Sequence, residues 1–174
     1  MNTFSKVLLS TLSTVATIAG GTAGAYEVHK GVGFYTPEDF TGAHSQIVKS
    51  LYELEVPVVD GSTVDGACEA DPGMILYGFY IPSENVMVLC KDGLSQKDIE
   101  ETLVHEAVHV IQDARAGINN DSMYVGDVRP LFRQLSDSYQ QNILQNYDQK
   151  DWELETEAWF FQDKPEAVAD AFRF

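Results

Sequence analysis

Residues 104–110 read VHEAVHV, with His105 and His109 four positions apart and Glu106 beside the first. On an α-helix, residues i and i+4 lie on one face about 5 to 6 Å apart. Both imidazoles can therefore offer a nitrogen to one cation at the roughly 2.0 to 2.1 Å of a zinc–nitrogen bond. Glu106, about 100° further round the helix, can reach a water on that metal without being its ligand. Zinc lowers the pKa of bound water towards about 7, and a nearby carboxylate can take the proton and later deliver it to a leaving amine. The pattern therefore assigns His105 and His109 as metal ligands and Glu106 as general base. The competing reading is two histidines on an amphipathic helix with no metal, and a complete H-E-x-x-H on an independently capped helix argues against it.

A catalytic zinc usually has three protein ligands and one open position. The other histidines, His29 and His44, lie far upstream, and none follows His109. The remaining candidates are the carboxylates of WELETEAWFF at 152–161, where Glu153, Glu155 and Glu157 alternate. Glu155 and Glu157 point about 200° apart on a helix, so they cannot both be ligands, whereas Glu153 and Glu157 share a face. A solvated acidic face is the alternative, but Trp152, Leu154, Trp159, Phe160 and Phe161 surround the three and argue against full solvation.

The elements that must position these groups follow from local signals. Ser95 with Asp98 three later opens a helix, and Arg115 followed by Gly117 closes it, which places HEAVH in mid-helix. Just upstream, Met74–Ile81 and Val86–Cys90 read as an antiparallel hairpin joined by Pro82–Asn85, and Pro82 suggests an edge position. Thr36, Pro37 and Asp39 predict the start of a helix running to about Tyr52, with Phe40, Ile47 and Leu51 on its inner face. VPVVDGS reads as a short strand ending in a turn, and GINNDSMYVGDVRP as loop. A third helix is expected over Leu131–Tyr147, a fourth over DWELETEAWFFQ, and a short terminal one from Pro165. No internal repeat is visible, and residues 26–174 read as one α+β domain.

The chain carries 27 Asp plus Glu against 11 Lys plus Arg, a net charge of −16, which repels phosphate backbones and anionic lipid and so excludes nucleic acid and acidic membranes as partners. Residues 1–25 have the order of a secretory signal peptide: Lys6, the apolar run VLLSTLSTVATIAGG, and an A-x-A site at Ala23–Ala25. The run is too short and too rich in Ser and Thr for a stable membrane span. The alternative is an uncleaved N-terminal helix or arm in an assembly. Export would allow Cys68 and Cys90, which flank the predicted hairpin, to form a disulfide; a reducing compartment would leave two buried thiols. Nothing in the pattern fixes an oligomeric state.

HEAVH followed downstream by a helical ETEAWFF resembles the gluzincin zinc metallopeptidases, whose second metal helix carries E-x-x-A or E-x-E-A. It is similar to a reduced version of the HtpX-type and ImmA/IrrE-type peptidase cores, and more closely to small zincin-like proteins of cyanobacteria and their phages. The resemblance covers about Gly78 to Phe161. It implies a minimal zincin-like fold, a small antiparallel sheet packed on the HExxH helix with C-terminal helices, and Glu155 as third zinc ligand. A polar residue commonly stands four positions after that glutamate in the family; here it is Trp159, and Glu157 remains the alternative ligand. The resemblance also implies an edge strand that binds extended peptide, for which Val86–Leu89 is the expected element, an ordinary core hairpin being the alternative.

The expectation that follows is a small exported zinc metallopeptidase acting on a peptide or protein substrate. Two readings of other classes stay beside it. One is a non-catalytic zinc-binding, structural or virion-associated protein on a zincin scaffold; the other is a peptide-binding or inhibitory module using the hairpin edge. Glu106 separates the first two, because a purely structural site has no use for a base beside the metal. Tyr124, Arg129 and Tyr139 are unranked candidates for stabilising an oxyanion.

Overall fold

A computed structural model describes residues 31–70, 73–118 and 126–173. The segment read as a signal peptide lies outside the described residues, as do His29 and Tyr124. The architecture is α+β. Four strands, β1 (Gly33–Phe34), β2 (Val58–Asp60), β3 (Gly78–Ile81) and β4 (Val86–Leu89), form one sheet in the order β1-β2-β4-β3. Six α-helices accompany it among the described residues: α1 (Gly42–Glu53), α2 (Gln96–Ala116), α3 (Arg129–Phe132), α4 (Asp137–Asn146), α5 (Trp152–Phe161) and α6 (Pro165–Ala171).

Two expectations about the sheet are corrected. It is mixed rather than antiparallel, because β2 pairs with β4 in parallel while β1–β2 and β3–β4 are antiparallel. The hairpin forms, but Val86–Leu89 is an inner strand with a partner on each side, so it is no edge. Its sequence, VMVL, is apolar at every position, and every residue is buried. A strand covered on both faces reads as a continuous apolar run, whereas one with a solvated face alternates. Met87 and Leu89 enter the main core against α1 and α2, while Val86 and Val88 enter a smaller cluster on the opposite face with Val59 and Val64. The edge strand on this side is β3.

The pairing also fixes which backbone groups of β3 face outward. The Cys90 N–H donates to the Tyr77 carbonyl at 2.8 Å, and the same register pairs Gly78 with Leu89 and Tyr80 with Met87. Because hydrogen-bonded pairs alternate in an antiparallel ladder, Gly78 and Tyr80 present their backbone groups to the open edge. Gly78 lets that edge approach α2 closely. A Cβ there would lie 2.7 Å from the Val88 carbonyl oxygen and 2.8 Å from Thr102 Cγ2.

Helix α2 begins and ends where its sequence signals place it. Ser95 accepts from the Asp98 N–H and Asp98 reaches back to Ser95, a complete capping box, and Gly117 at φ 103° follows the last turn. The first predicted helix is instead divided. Thr36 and Asp39 close a capping box around a single 3₁₀ turn, Phe40 is extended so that its ring enters the core, and α1 starts at Gly42. The helix expected over Leu131–Tyr147 is also two pieces. Ser136 accepts from the Tyr139 N–H and starts α4 afresh, so periodic apolar spacing across the break had concealed a cap. Cys68 and Cys90 are joined by a disulfide that ties the turn after β2 to the end of β4. Gly61 makes room for it, since a Cβ there would lie 2.4 Å from Cys68 Sγ. No helix among the described residues is long and apolar enough to cross a membrane.

Candidate metal site

The middle of α2 is buried from Leu103 to Val110 because it lies between the sheet and α5. His105 and His109 leave α2 on one face, and α5 packs across that face so that Glu155 meets both. His105 Nε2 is 3.3 Å from Glu155 Oε2, and His109 Nε2 is 3.5 Å from Glu155 Oε1. One ligand atom from each of the three residues lies within 4.8 Å of the others. Two atoms each about 2.0 to 2.1 Å from a zinc ion at a tetrahedral angle are roughly 3.3 Å apart, so these separations are those of ligands around one ion. Glu155 Oε2 is buried and finds no aligned hydrogen-bond partner, which leaves an anionic oxygen directed at a position that a cation would fill. Two imidazole nitrogens and one carboxylate oxygen are a donor set that can hold one metal ion.

The electrostatics of the three residues are coupled. Burial alone would lower the proton affinity of His109, but Glu155 and Glu106 outweigh it and raise its pKa to about 9. Burial alone would raise Glu155, yet the two imidazoles facing it hold it down to about 2. Burial raises the Glu106 carboxyl above the usual carboxylate range, against the opposing pull of His105 and His109. The backbone of Tyr80, facing the open edge of β3, pulls Glu106 in the same downward direction as the imidazoles, so Glu106 and the edge strand lie side by side.

The glutamates of α5 part company. Glu153 is exposed. Glu157 is buried on the other side of the helix from Glu155, where Gln112 Nε2 donates to its Oε2 at 3.0 Å and Arg115 Nη1 to its Oε1 at 3.2 Å. It is not in the cluster with the histidines. Trp159 packs edge-on against His105 with ring centroids 5.3 Å apart and against Tyr139 at 4.7 Å, orienting the imidazole by aromatic contact. Arg129 pairs with Asp127 at the surface, 2.8 Å away. His44 sits on α1 and takes no part in the cluster.

Two residues at the site were missed in the sequence. Tyr147, which follows α4, lies beside Glu155, and burial followed by the charge of Glu155 raises its pKa well above the ordinary phenol value. Gln112, fully buried, lies 2.8 Å from His109 Nδ1 through its Oε1. Gln112 could have been found from its i+3 spacing to His109. Tyr147 carries no local signal.

The family model for the domain of unknown function DUF8637 matches residues 62–173, well over half of the chain. The chain belongs to the DUF8637 family. The DUF8637 match takes in His105, Glu106, His109, Tyr147 and Glu155, so every group at the site falls within the family's region, while α1, β1 and β2 precede it. No curated protein and no solved structure matches the chain. A cavity of about 420 Å³ beside the disulfide is lined by Asp65, Glu69, Met74 and Ile75 and by none of these site residues.

Proposed function

We propose that the protein is a small zinc-dependent metallopeptidase of gluzincin type, with His105, His109 and Glu155 as zinc ligands and Glu106 as general base. The observation that carries this reading is the meeting of three ligand atoms from α2 and α5 within 4.8 Å, with Glu106 adjacent. Bound zinc would supply an acidified water and polarise the scissile carbonyl.

The remaining steps belong to the chain. The outward backbone groups of Gly78 and the outward carbonyl of Tyr80 on β3 pair with an extended peptide and hold its carbonyl over the site. Glu106, beside the backbone of Tyr80, takes the proton from the attacking water and passes it to the leaving amine. Tyr147, a protonated phenol beside Glu155, donates to the oxygen on which negative charge develops. Residues 1–25 act as a cleaved export signal, and the Cys68–Cys90 disulfide suits the oxidising compartment to which export leads.

A digest of a peptide library by the zinc-loaded protein tests the activity. The expected result is cleavage that stops on chelation and returns with zinc. Zinc-loaded protein that cleaves nothing would favour the structural or virion-associated reading on the same scaffold.

A further inference from the structure

The Gln112 amide is bonded at both ends in a site with no access to water, being 0% exposed. Its Nε2 donates to the Leu154 carbonyl at 3.1 Å and to Glu157 Oε2 at 3.0 Å. Those two acceptors use both amide hydrogens and fix which end of the amide is nitrogen. A flipped amide would set its oxygen against a carbonyl oxygen and a carboxylate, with no hydrogen among the three. The atom 2.8 Å from His109 Nδ1 is therefore the oxygen. An amide oxygen can only accept, so Nδ1 carries a hydrogen. Once a metal displaces the proton from Nε2, the imidazole is neutral with its hydrogen on Nδ1 and its lone pair on Nε2, the atom that faces Glu155 at 3.5 Å. Arg115, at 3.2 Å from Glu157 Oε1, holds the far end of the chain.

We propose that Gln112 is the positioning residue of this site: anchored by Leu154, Glu157 and Arg115, it locks His109 in the Nδ1–H form and so keeps the Nε2 lone pair directed at the metal position. This rests on the zinc reading above. It gives Glu157 a role in the site without a bond to the metal. The carboxylate polarises the amide, the amide oxygen draws on the Nδ1–H, and Nε2 becomes a better donor. A glutamine serves here because one acceptor and two donors are needed at once. A methionine of the same length would leave Nδ1–H, the Leu154 carbonyl and Glu157 Oε2 without their shared partner.

Zinc affinity by competition with a chromophoric chelator, together with ¹⁵N-resolved NMR of the imidazoles in zinc-loaded protein, tests this in wild type, Gln112→Met and Glu157→Gln. A residue that only fills space would alter stability and leave both readouts alone. The expected wild-type result is zinc on His109 Nε2 with a slowly exchanging Nδ1–H proton. Gln112→Met should lose that protected proton and weaken zinc by about 10- to 100-fold, as removing the partner of a ligating histidine does. Glu157→Gln keeps its volume and leaves Gln112 in place, so it serves if Gln112→Met does not fold; it should weaken zinc by about tenfold and speed exchange of the same proton. Tight zinc in wild type with both folded variants unchanged in affinity and in Nδ1–H exchange would overturn the positioning role and leave the zinc site standing. Wild-type protein that binds no zinc would remove both.

Discussion

Arg115 Nη1 lies 3.2 Å from Glu157 Oε1, and that contact separates the two buried glutamates of α5. Glu157 is committed to Arg115 and Gln112, whereas the carboxylate of Glu155 faces both His105 and His109. Glu155→Gln replaces a charged ligand with a neutral amide and should weaken zinc by more than the roughly 100-fold upper range of a supporting residue. Glu157→Gln should stay near the lower, roughly tenfold end of that range. Metal content after dialysis of the two variants side by side checks the order. The reverse order would make Glu157 the ligand.

Tyr147→Phe removes one hydroxyl and little volume. If that hydroxyl donates to the developing oxyanion, kcat should fall by about 10² to 10³ while zinc content is kept. Steady-state kinetics on a cleaved peptide supply the measurement, and an unchanged kcat would assign the phenol to holding Glu155 alone.

Gly78→Ala places a methyl group 2.7 Å from the Val88 carbonyl oxygen and 2.8 Å from Thr102 Cγ2. Either β3 or α2 must give way, and overpacking of this kind costs about 1 to 3 kcal/mol. Urea denaturation should show that loss. Because β3 also carries the backbone that meets Glu106, KM should rise as well.

The Cys68–Cys90 bridge closes a loop with a sequence separation of 22. Loop-closure entropy for that length is worth about 3 kcal/mol. The Cys68→Ser/Cys90→Ser double variant should therefore unfold at lower temperature while retaining zinc, since neither cysteine is at the metal cluster. Calorimetry with metal analysis separates the two effects.

What was legible in the sequence was what local chemistry determines. Ser95, Asp98 and Gly117 delimit α2 by hydrogen bonds made within a few residues, and i, i+4 spacing alone puts His105 and His109 on one face. The choice of Glu155 over Glu157 was not legible, because α5 is buried on both of the faces those residues occupy and its apolar residues surround all three glutamates. Only the packing of α5 on α2 decides between them. The inner position of Val86–Leu89 was hidden for a related reason: its parallel partner, β2, lies far away in sequence and leaves no local mark. Tyr147 arrives at the site through the turn after α4, and tertiary placement of that kind has no periodic signature.

The central claim is that Glu106 does chemistry at a metal held by other residues. Glu106→Gln keeps shape and hydrogen bonding but cannot accept the proton of an attacking water. The decisive measurement is peptide cleavage by Glu106→Gln and wild-type protein at equal, verified zinc content. The account predicts full zinc occupancy in both and a rate lower by about 10² to 10⁴ in the variant, the usual contribution of general acid–base catalysis. A zinc-loaded Glu106→Gln protein that cleaves as fast as wild type would contradict it.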